Sequence, residues 1–589
     1  MEDFDFSLSP SLTPPLQTGH SHVPPSTSHD DNAAPKQKFS CHQCRARKLK
    51  CDRIWPCQRC VQFGEQCQFA EARRRPGHVV KRPRVKELEN RLMELEHRFK
   101  QQQVEQQAAG TPATPVSMLD AHDDSQVIPT GRLEQLPPQS VVDELTTLYF
   151  SRLHSEAPMQ DPLRYLASLH RPPHLQPPIC LQYAILAMAA GLSPPHKQLA
   201  LPFYQRARNY IEHDELKSDG HNILTLGHAQ CWVLLGHFEA QRMWYARASL
   251  SVSRCVRLAQ MLGLYDVEAV NSPFALAPTI NWQEREERRR TMWAIFCTDR
   301  LASSTTGWHP LVDVKHLRTL LPASEEAFRL GVAEPSMTLQ QALGDSTARL
   351  SSFACCVLTA YMFYACLEHS FTGYPDDDAQ GTEFWKNQHS LDNRLAVLFM
   401  VLPDSVRCPE NIDKHDAVFI NLALHTASIC IHRVGAARGK GSSAHAGQAE
   451  GAAARLLTAA NEIFSIVKSV RDPQRLSPNP FAAFASFMAA LVYFDDFAHF
   501  HSRQSEERLG MVMDLMVVIA NENMAAASLA LQLAGHLKKT GIDPDALDKV
   551  KHLADKVESD TSGFVVGMHN EHTGTVLFCP FQPRETSET

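Results

Sequence analysis

Six cysteines stand between residues 41 and 67 of this 589-residue chain: Cys41, Cys44, Cys51, Cys57, Cys60 and Cys67. Their spacing repeats. C-x2-C-x6-C is followed, after five residues, by C-x2-C-x6-C again. Thiolates are soft ligands that suit Zn²⁺, which prefers four of them in a tetrahedron. Six cannot fill two separate four-thiolate sites, but they can if two thiolates are shared between two ions. The larger apolar residues between Cys41 and Cys67 are only Leu49, Ile54, Trp55, Val61 and Phe63. Metal must therefore supply the folding free energy, on the order of 10 kcal/mol for structural zinc. A disulfide framework is the alternative. It is set aside because Met1-Glu-Asp-Phe-Asp is acidic, lacks the apolar stretch of a secretion signal, and intracellular thiols stay reduced.

The first half of the repeat carries four cations, Arg45, Arg47, Lys48 and Lys50, between Cys44 and Cys51. The second half, near Gln58 to Gly64, carries only Arg59. Short helices are expected near Gln43–Lys50 and Gln58–Gly64. Only the first is equipped to meet a groove lined with phosphates. Lys48 can donate to the guanine O6 and N7 acceptors of the major groove. Arg45, Arg47, Lys50 and Arg53 are expected to hold phosphates and set the register.

The run Cys41-His-Gln-Cys44-Arg-Ala-Arg-Lys48-Leu-Lys-Cys51-Asp52, then Pro56-Cys57-Gln-Arg-Cys60 and Cys67, resembles the fungal zinc binuclear cluster (Zn2Cys6) transcription factors. The resemblance implies two Zn²⁺ bridged by the first and fourth cysteines, here Cys41 and Cys57. It also places on Lys48 the basic residue that reads bases, usually in CGG triplets.

The chain's net charge of −7 hides an asymmetry: residues 36–100 hold 18 Lys plus Arg against 7 Asp plus Glu, a net of +11. This segment suits a polyanion, and binding should weaken steeply with salt. Arg73, Arg74, Arg75, Lys81, Arg82 and Arg84 form a split basic cluster that reads as a nuclear import signal. Val85, Leu88, Leu92, Leu95 and Phe99 fall at successive a and d heptad positions. In a parallel dimer Arg84 would face Glu89 and Arg91 would face Glu96, so this helix is expected to pair two copies. A single amphipathic helix folded onto its own chain is the alternative.

The expected organisation is mainly α. A disordered tail (1–38) precedes the Zn2Cys6 DNA-binding domain (39–70) and a basic linker (71–84). A coiled-coil dimerisation helix (85–103), a linker (104–137), a large all-helical regulatory domain (138–555) and a C-terminal tail (556–589) follow. Within the large domain, residues 240–263 read as one helix with Gly263 at its C-cap. Asn281 with Glu284 three residues on reads as a variant capping box, and Glu284–Arg288 and Glu286–Arg290 as i,i+4 pairs. Asp299 on an apolar face requires an arginine partner. Phe481 to Phe494 reads as a buried core helix, too short for a bilayer. Arg289-Arg290-Thr-Met-Trp293, Gly307-Trp-His-Pro310 and Asn479-Pro480-Phe481 also resemble the regulatory domain of the same family, which implies a helical bundle controlling activity.

No constellation supports an enzyme. Gly435-Ala-Ala-Arg-Gly439-Lys440 has the wrong spacing for a phosphate loop and reads as a flexible loop. Cys297, His309 and Asp313 lack a nucleophile signature. The expected function is a zinc-dependent, sequence-specific DNA-binding transcription activator acting with RNA polymerase II. Its expected setting is the nucleus, as a homodimer working with the transcription machinery on double-stranded DNA, with no membrane role. By family habit it regulates a secondary-metabolite gene cluster. The alternatives are a zinc-knot regulator that binds a partner protein, or a regulator of nutrient use or drug resistance.

Overall fold

The computed structural model describes residues 40–69, 137–269, 276–344, 349–371, 382–439, 446–470, 480–521, 523–543, 545–560, 567–569 and 576–578. The chain divides into two compact units, Met1–Gln126 and Val127–Thr589. The heptad residues Val85, Leu88, Leu92, Leu95 and Phe99 lie outside the described residues. So do Arg73, Arg74, Arg75, Lys81, Arg82 and Arg84, the tail 1–38, and the linkers 71–84 and 104–136.

In the first unit, two one-turn helices, α1 (His42–Ala46) and α2 (Gln58–Gln62), surround a core made of sulfur. Cys41, Cys44, Cys57 and Cys60 are buried, with Cys51, Cys67 and Phe69 against them. Trp55, Val61 and Phe63 remain 68%, 61% and 65% exposed, so apolar burial does not hold this unit. Both helices end earlier than the cation pattern suggested. Each closes in a Schellman cap, where the chain turns left-handed and the next N–H reaches back five residues. Lys48 (φ +54°) is followed by Leu49 N donating to Cys44 O at 2.8 Å. Gly64 (φ +63°) is followed by Glu65 N donating to Cys60 O at 2.9 Å.

The second unit is a helical bundle. In order it contains α3 (Gln139–Arg152), α4 (Pro162–Leu169), α5 (Ile179–Leu192), α6 (Ala200–Leu216), α7 (Leu226–Gln241), α8 (Tyr245–Leu262) and α9 (Trp282–Thr306). Then come α10 (Glu325–Leu330), α11 (Leu339–Gly344), α12 (Ser352–Phe371), α13 (Thr382–Val401), α14 (His415–Gly439) and α15 (Ala446–Ser469). Last are α16 (Pro480–Phe500), α17 (Arg503–Ala520), α18 (Met524–Thr540) and α19 (Ala546–Asp560). A short hairpin, β1 (Gly567–His569) with β2 (Val576–Phe578), pairs Met568 with Leu577 in the stretch the sequence assigned to a tail. Helices adjacent in the chain pack on one another, α5 on α6, α7 on α8, α14 on α15 and α16 on α17, while α9 and α14 both pack on α12.

Helix α9 runs through the buried core of this unit. Asn281 caps it, accepting from Glu284 N at 3.2 Å, but the Glu284 carboxylate takes Thr279 Oγ1 (2.8 Å) instead of closing a capping box. Trp293 and Phe296, both fully buried, each contribute roughly 2–3 kcal/mol by burial. Arg290 is also fully buried. Its guanidinium meets Glu286 Oε1 (3.0 Å), Glu325 Oε1 (2.5 Å), Ala323 O (2.8 Å) and Pro158 O (3.2 Å), and lies over the Phe328 ring. One side chain thus ties α9 to the segments on either side of it. Asp299 has the arginine it required: Arg300 Nη1 lies 3.1 Å away, and Leu311 N and Val312 N donate to the same carboxylate at 2.9 and 3.0 Å.

Three further readings need correction. The expected 240–263 helix is two helices, because α7 ends in a third Schellman cap with Met243 at φ +59° and Trp244 N on Glu239 O (2.9 Å). No glycine marks that stop. Gly435 to Gly439 close α14 instead of opening a loop, and Lys440 lies outside the described residues. The Phe481 helix is longer than its apolar run. Two helices, His415–Arg438 and Phe481–Phe500, are long and apolar enough to cross a membrane, and 72% of each apolar window is buried inside the bundle.

Candidate metal centre and nucleic-acid interface

The sulfurs converge. Cys41 Sγ lies 3.7 Å from both Cys57 Sγ and Cys60 Sγ, and Cys44 Sγ lies 3.8 Å from Cys57 Sγ. The ligand atoms of Cys41, Cys44, Cys57 and Cys60 all fall within 4.8 Å of one another. Cys57 also groups with Cys51 and Asp52, and its N–H donates to Cys67 Sγ at 3.2 Å. Its sulfur therefore stands where donors from both halves meet.

Cys41 and Cys57 are the N-caps of α1 and α2. Burial opposes ionisation of both, yet hydrogen bonds from Cys44 to Cys41 and from Cys60 to Cys57 carry the two thiols below the ordinary range. A helix N-terminus is where a thiolate is stabilised. Burial pushes Cys44, which caps nothing, up to about 12. A set of buried, convergent thiols with no apolar core around them fits Zn²⁺, a thiophilic ion. When bound, the ions supply the tetrahedral cross-links that hold the two turns together.

Polar contacts fix the frame around the sulfur. Asp52 Oδ2 accepts from Gln58 N at 2.9 Å, satisfying the first N–H of α2. Trp55 Nε1 donates to Cys67 O (3.0 Å), and His42 N donates to Gln68 O (2.8 Å), closing the segment on itself. Arg45, Arg47, Lys48, Lys50 and Arg53 are all exposed, so the cations lie outside the metal core. Arg47 is not free: its Nη1 sits 2.5 Å from Glu65 Oε1, across the pseudo-repeat.

In the second unit the suggested nucleophile is disarmed, because burial raises the Cys297 thiol to about 12. Asp313 is used locally, accepting from Lys315 N at 2.9 Å. One cluster escaped the sequence reading. Cys180, Asp214 and His228 bring ligand atoms within 4.8 Å of one another from α5, α6 and α7. No spacing in the chain announces it.

Comparison with known proteins places this architecture. Residues 39–76 match the fungal Zn(2)-Cys(6) binuclear cluster domain, and residues 146–359 match the fungal specific transcription factor domain. The chain is 30% identical over 345 residues to an azaphilone cluster-specific transcription factor of Aspergillus niger, covering 56% of this chain and 71% of the relative. It is 27% identical over 438 residues to a citrinin biosynthesis transcriptional activator of Monascus purpureus, covering 65% and 75%. It is 30% identical over 282 residues to a pigment biosynthesis transcriptional activator of Monascus ruber, covering 46% of this chain and 50% of the relative. No solved structure matches. The chain belongs to the fungal Zn2Cys6 transcription factors. It is a zinc-dependent DNA-binding transcription factor whose binuclear cluster holds two zinc ions.

Proposed function

We propose that this protein reads CGG-type half-sites through the Cys41–Cys51 half of its cluster and activates a secondary-metabolite biosynthetic gene cluster. The observation that carries the reading is the asymmetry of the two pseudo-equivalent halves. Four exposed cations crowd the first, and one marks the second. Lys48 contacts bases, while Arg45, Arg47, Lys50 and Arg53 hold phosphates. All six cysteines ligate zinc, with Cys41 and Cys57 bridging the ions. The convergence of both halves on Cys57 and the paired N-cap positions support that assignment. The heptad Val85, Leu88, Leu92, Leu95 and Phe99 pairs two copies, and the linker before it sets the spacing of half-sites. The basic cluster from Arg73 to Arg84 directs the chain to the nucleus, where it acts with the transcription machinery. The pathway reading is supported by relatives named for azaphilone, citrinin and pigment biosynthesis.

The test is a gel-shift titration of the full chain against duplexes carrying paired CGG triplets, with and without a zinc chelator, followed by mapping of bound sites in cells. Chelator-sensitive binding to CGG duplexes and occupancy beside biosynthetic genes are expected. Equal affinity for CGG-free duplexes would remove the half-site assignment, and occupancy elsewhere would remove the pathway.

A further inference from the structure

The helical unit contains a partly open pocket of about 210 Å3 where Ser155, Glu156 and helices α7, α8, α9, α12, α14, α16 and α18 meet. It lies between the part matched by the transcription factor domain, which ends at residue 359, and helices that come after it in the chain. Five phenyl rings, Phe353, Phe363, Phe419, Phe481 and Phe484, line it. Phe363 and Phe419 each meet Phe481 edge-on, with centroids 4.9 and 5.4 Å apart, which holds the rings in place.

Few polar groups reach this apolar space. Glu156 Oε1 is buried and makes no hydrogen bond. His415 Nε2 lies 3.8 Å from it, beyond hydrogen-bond reach. A buried acceptor left without a hydrogen bond costs about 1–3 kcal/mol, so Glu156 Oε1 can gain from an added donor. Burial keeps Glu156 protonated, raising it to about 8, and lowers His415. His237, also on the lining, is lowered to about 4 by burial. Near neutral pH these three face the cavity uncharged. Asp416 turns to its own backbone, accepting from Ala417 N at 2.9 Å.

We infer that this cavity binds a small, uncharged, largely apolar molecule that presents one hydroxyl or carbonyl oxygen to Glu156. Its size follows from comparison: an engineered apolar cavity of about 150 Å3 holds benzene, so about 210 Å3 takes roughly eight to ten non-hydrogen atoms. A charged ligand would give up hydration for a lining whose surface is mostly apolar. Binding here would bridge the matched domain and the later helices, and so stiffen the junction between them.

The site goes beyond the DNA-binding reading, and its test contains no DNA, so either can fail alone. Full-length protein is titrated by calorimetry with 4-ethylphenol, with ethylbenzene, which lacks the hydroxyl, and with 4-ethylbenzoate and phenethylamine, which carry charge. Saturable 1:1 binding of 4-ethylphenol is expected at a Kd of about 10–100 µM, within the efficiency limits of so small a ligand. Ethylbenzene should bind roughly five- to tenfold more weakly, the worth of one hydrogen bond, and the charged probes should not bind. Ala302→Phe and Ala525→Phe fill the space from α9 and α18 and should abolish binding. Glu156→Gln, which keeps size and packing, should weaken 4-ethylphenol without changing ethylbenzene. No saturable binding at millimolar 4-ethylphenol overturns the inference. So does a wild-type Kd in a folded filling variant, or an equal loss for both neutral probes in Glu156→Gln.

Discussion

Lys48 and Gly64 occupy the same place in the two halves of the metal cluster. Each lies seven residues after a cysteine that caps a helix, and each is left-handed, with φ of +54° and +63°. Glycine adopts this conformation at no steric cost, whereas a lysine there costs about 1 kcal/mol. The second half keeps the residue that suits the fold. The first half carries one that strains it.

Lys48→Gly therefore separates folding from reading. The variant should bind two zinc ions per chain and be as stable as the wild type, or about 1 kcal/mol more so. In a selection from random duplexes it should recover no preferred site. Metal content by mass spectrometry and the selected sequences are the two readouts. Recovery of the wild-type site would dismiss Lys48 as the base reader.

Glu65 restrains the neighbouring cation. With Arg47 Nη1 held 2.5 Å from its carboxylate, part of the positive face is neutralised before DNA arrives. Glu65→Ala should tighten binding to all duplexes by a few-fold, with unchanged site preference. It should also steepen the salt dependence by about one unit of log K per log salt, one extra phosphate contact. Fluorescence anisotropy across a salt series checks this, and an unchanged slope would mean that Arg47 already leaves Glu65 on DNA.

Cys57 is the sulfur common to both donor groups, so Cys57→Ala should lose both metals, whereas Cys51→Ala should retain residual metal. Native mass spectrometry distinguishes them. A Cys57 variant that still carries two zinc ions would contradict the bridging assignment.

The buried guanidinium of Arg290 stabilises the regulatory unit only while its partners remain. Arg290→Ala leaves Glu286, itself fully buried, without its closest cation, and should cost about 3–5 kcal/mol. Arg290→Met with Glu286→Leu should recover much of that loss. Denaturant midpoints measure both, and a single variant within about 1 kcal/mol of wild type would show that Arg289, 3.3 Å from Glu286, suffices.

Glu156 makes stability depend on pH with a definite sign. Its carboxyl holds a proton to about pH 8 in the folded chain and only to about 4.5 when unfolded. Between those values the folded state binds the additional proton, so stability falls as pH rises. Against Glu156→Gln, the wild type should lose about 1.4 kcal/mol per pH unit across that window. His154 and His237, both lowered to about 4 by burial, push the other way up to pH 6.5, but they are present in both proteins and cancel. A difference that does not change with pH would place Glu156 in water.

The metal cluster was legible in the sequence because coordination chemistry dictates spacing directly: ligands must recur at offsets that a tetrahedron allows. Pairs along one helix, such as Glu286 with Arg290, were legible for the same local reason. The stop at Met243 was not, since its left-handed cap uses no glycine. Neither the cavity nor the Cys180, Asp214 and His228 cluster left a trace, because their walls come from separate helices. Only packing brings those residues together, and packing has no period.

A sulfur core has one consequence that an apolar core does not. The first unit's folding free energy is set by the surroundings as much as by its own residues. With two ions bound only in the folded state, each tenfold fall in free zinc removes about 2.7 kcal/mol, RT ln 10 for each ion. An ordinary domain holds a fixed reserve against unfolding. This one has a reserve that rises and falls with the cell's zinc supply, so metal scarcity alone can silence the regulator while its helical unit remains intact.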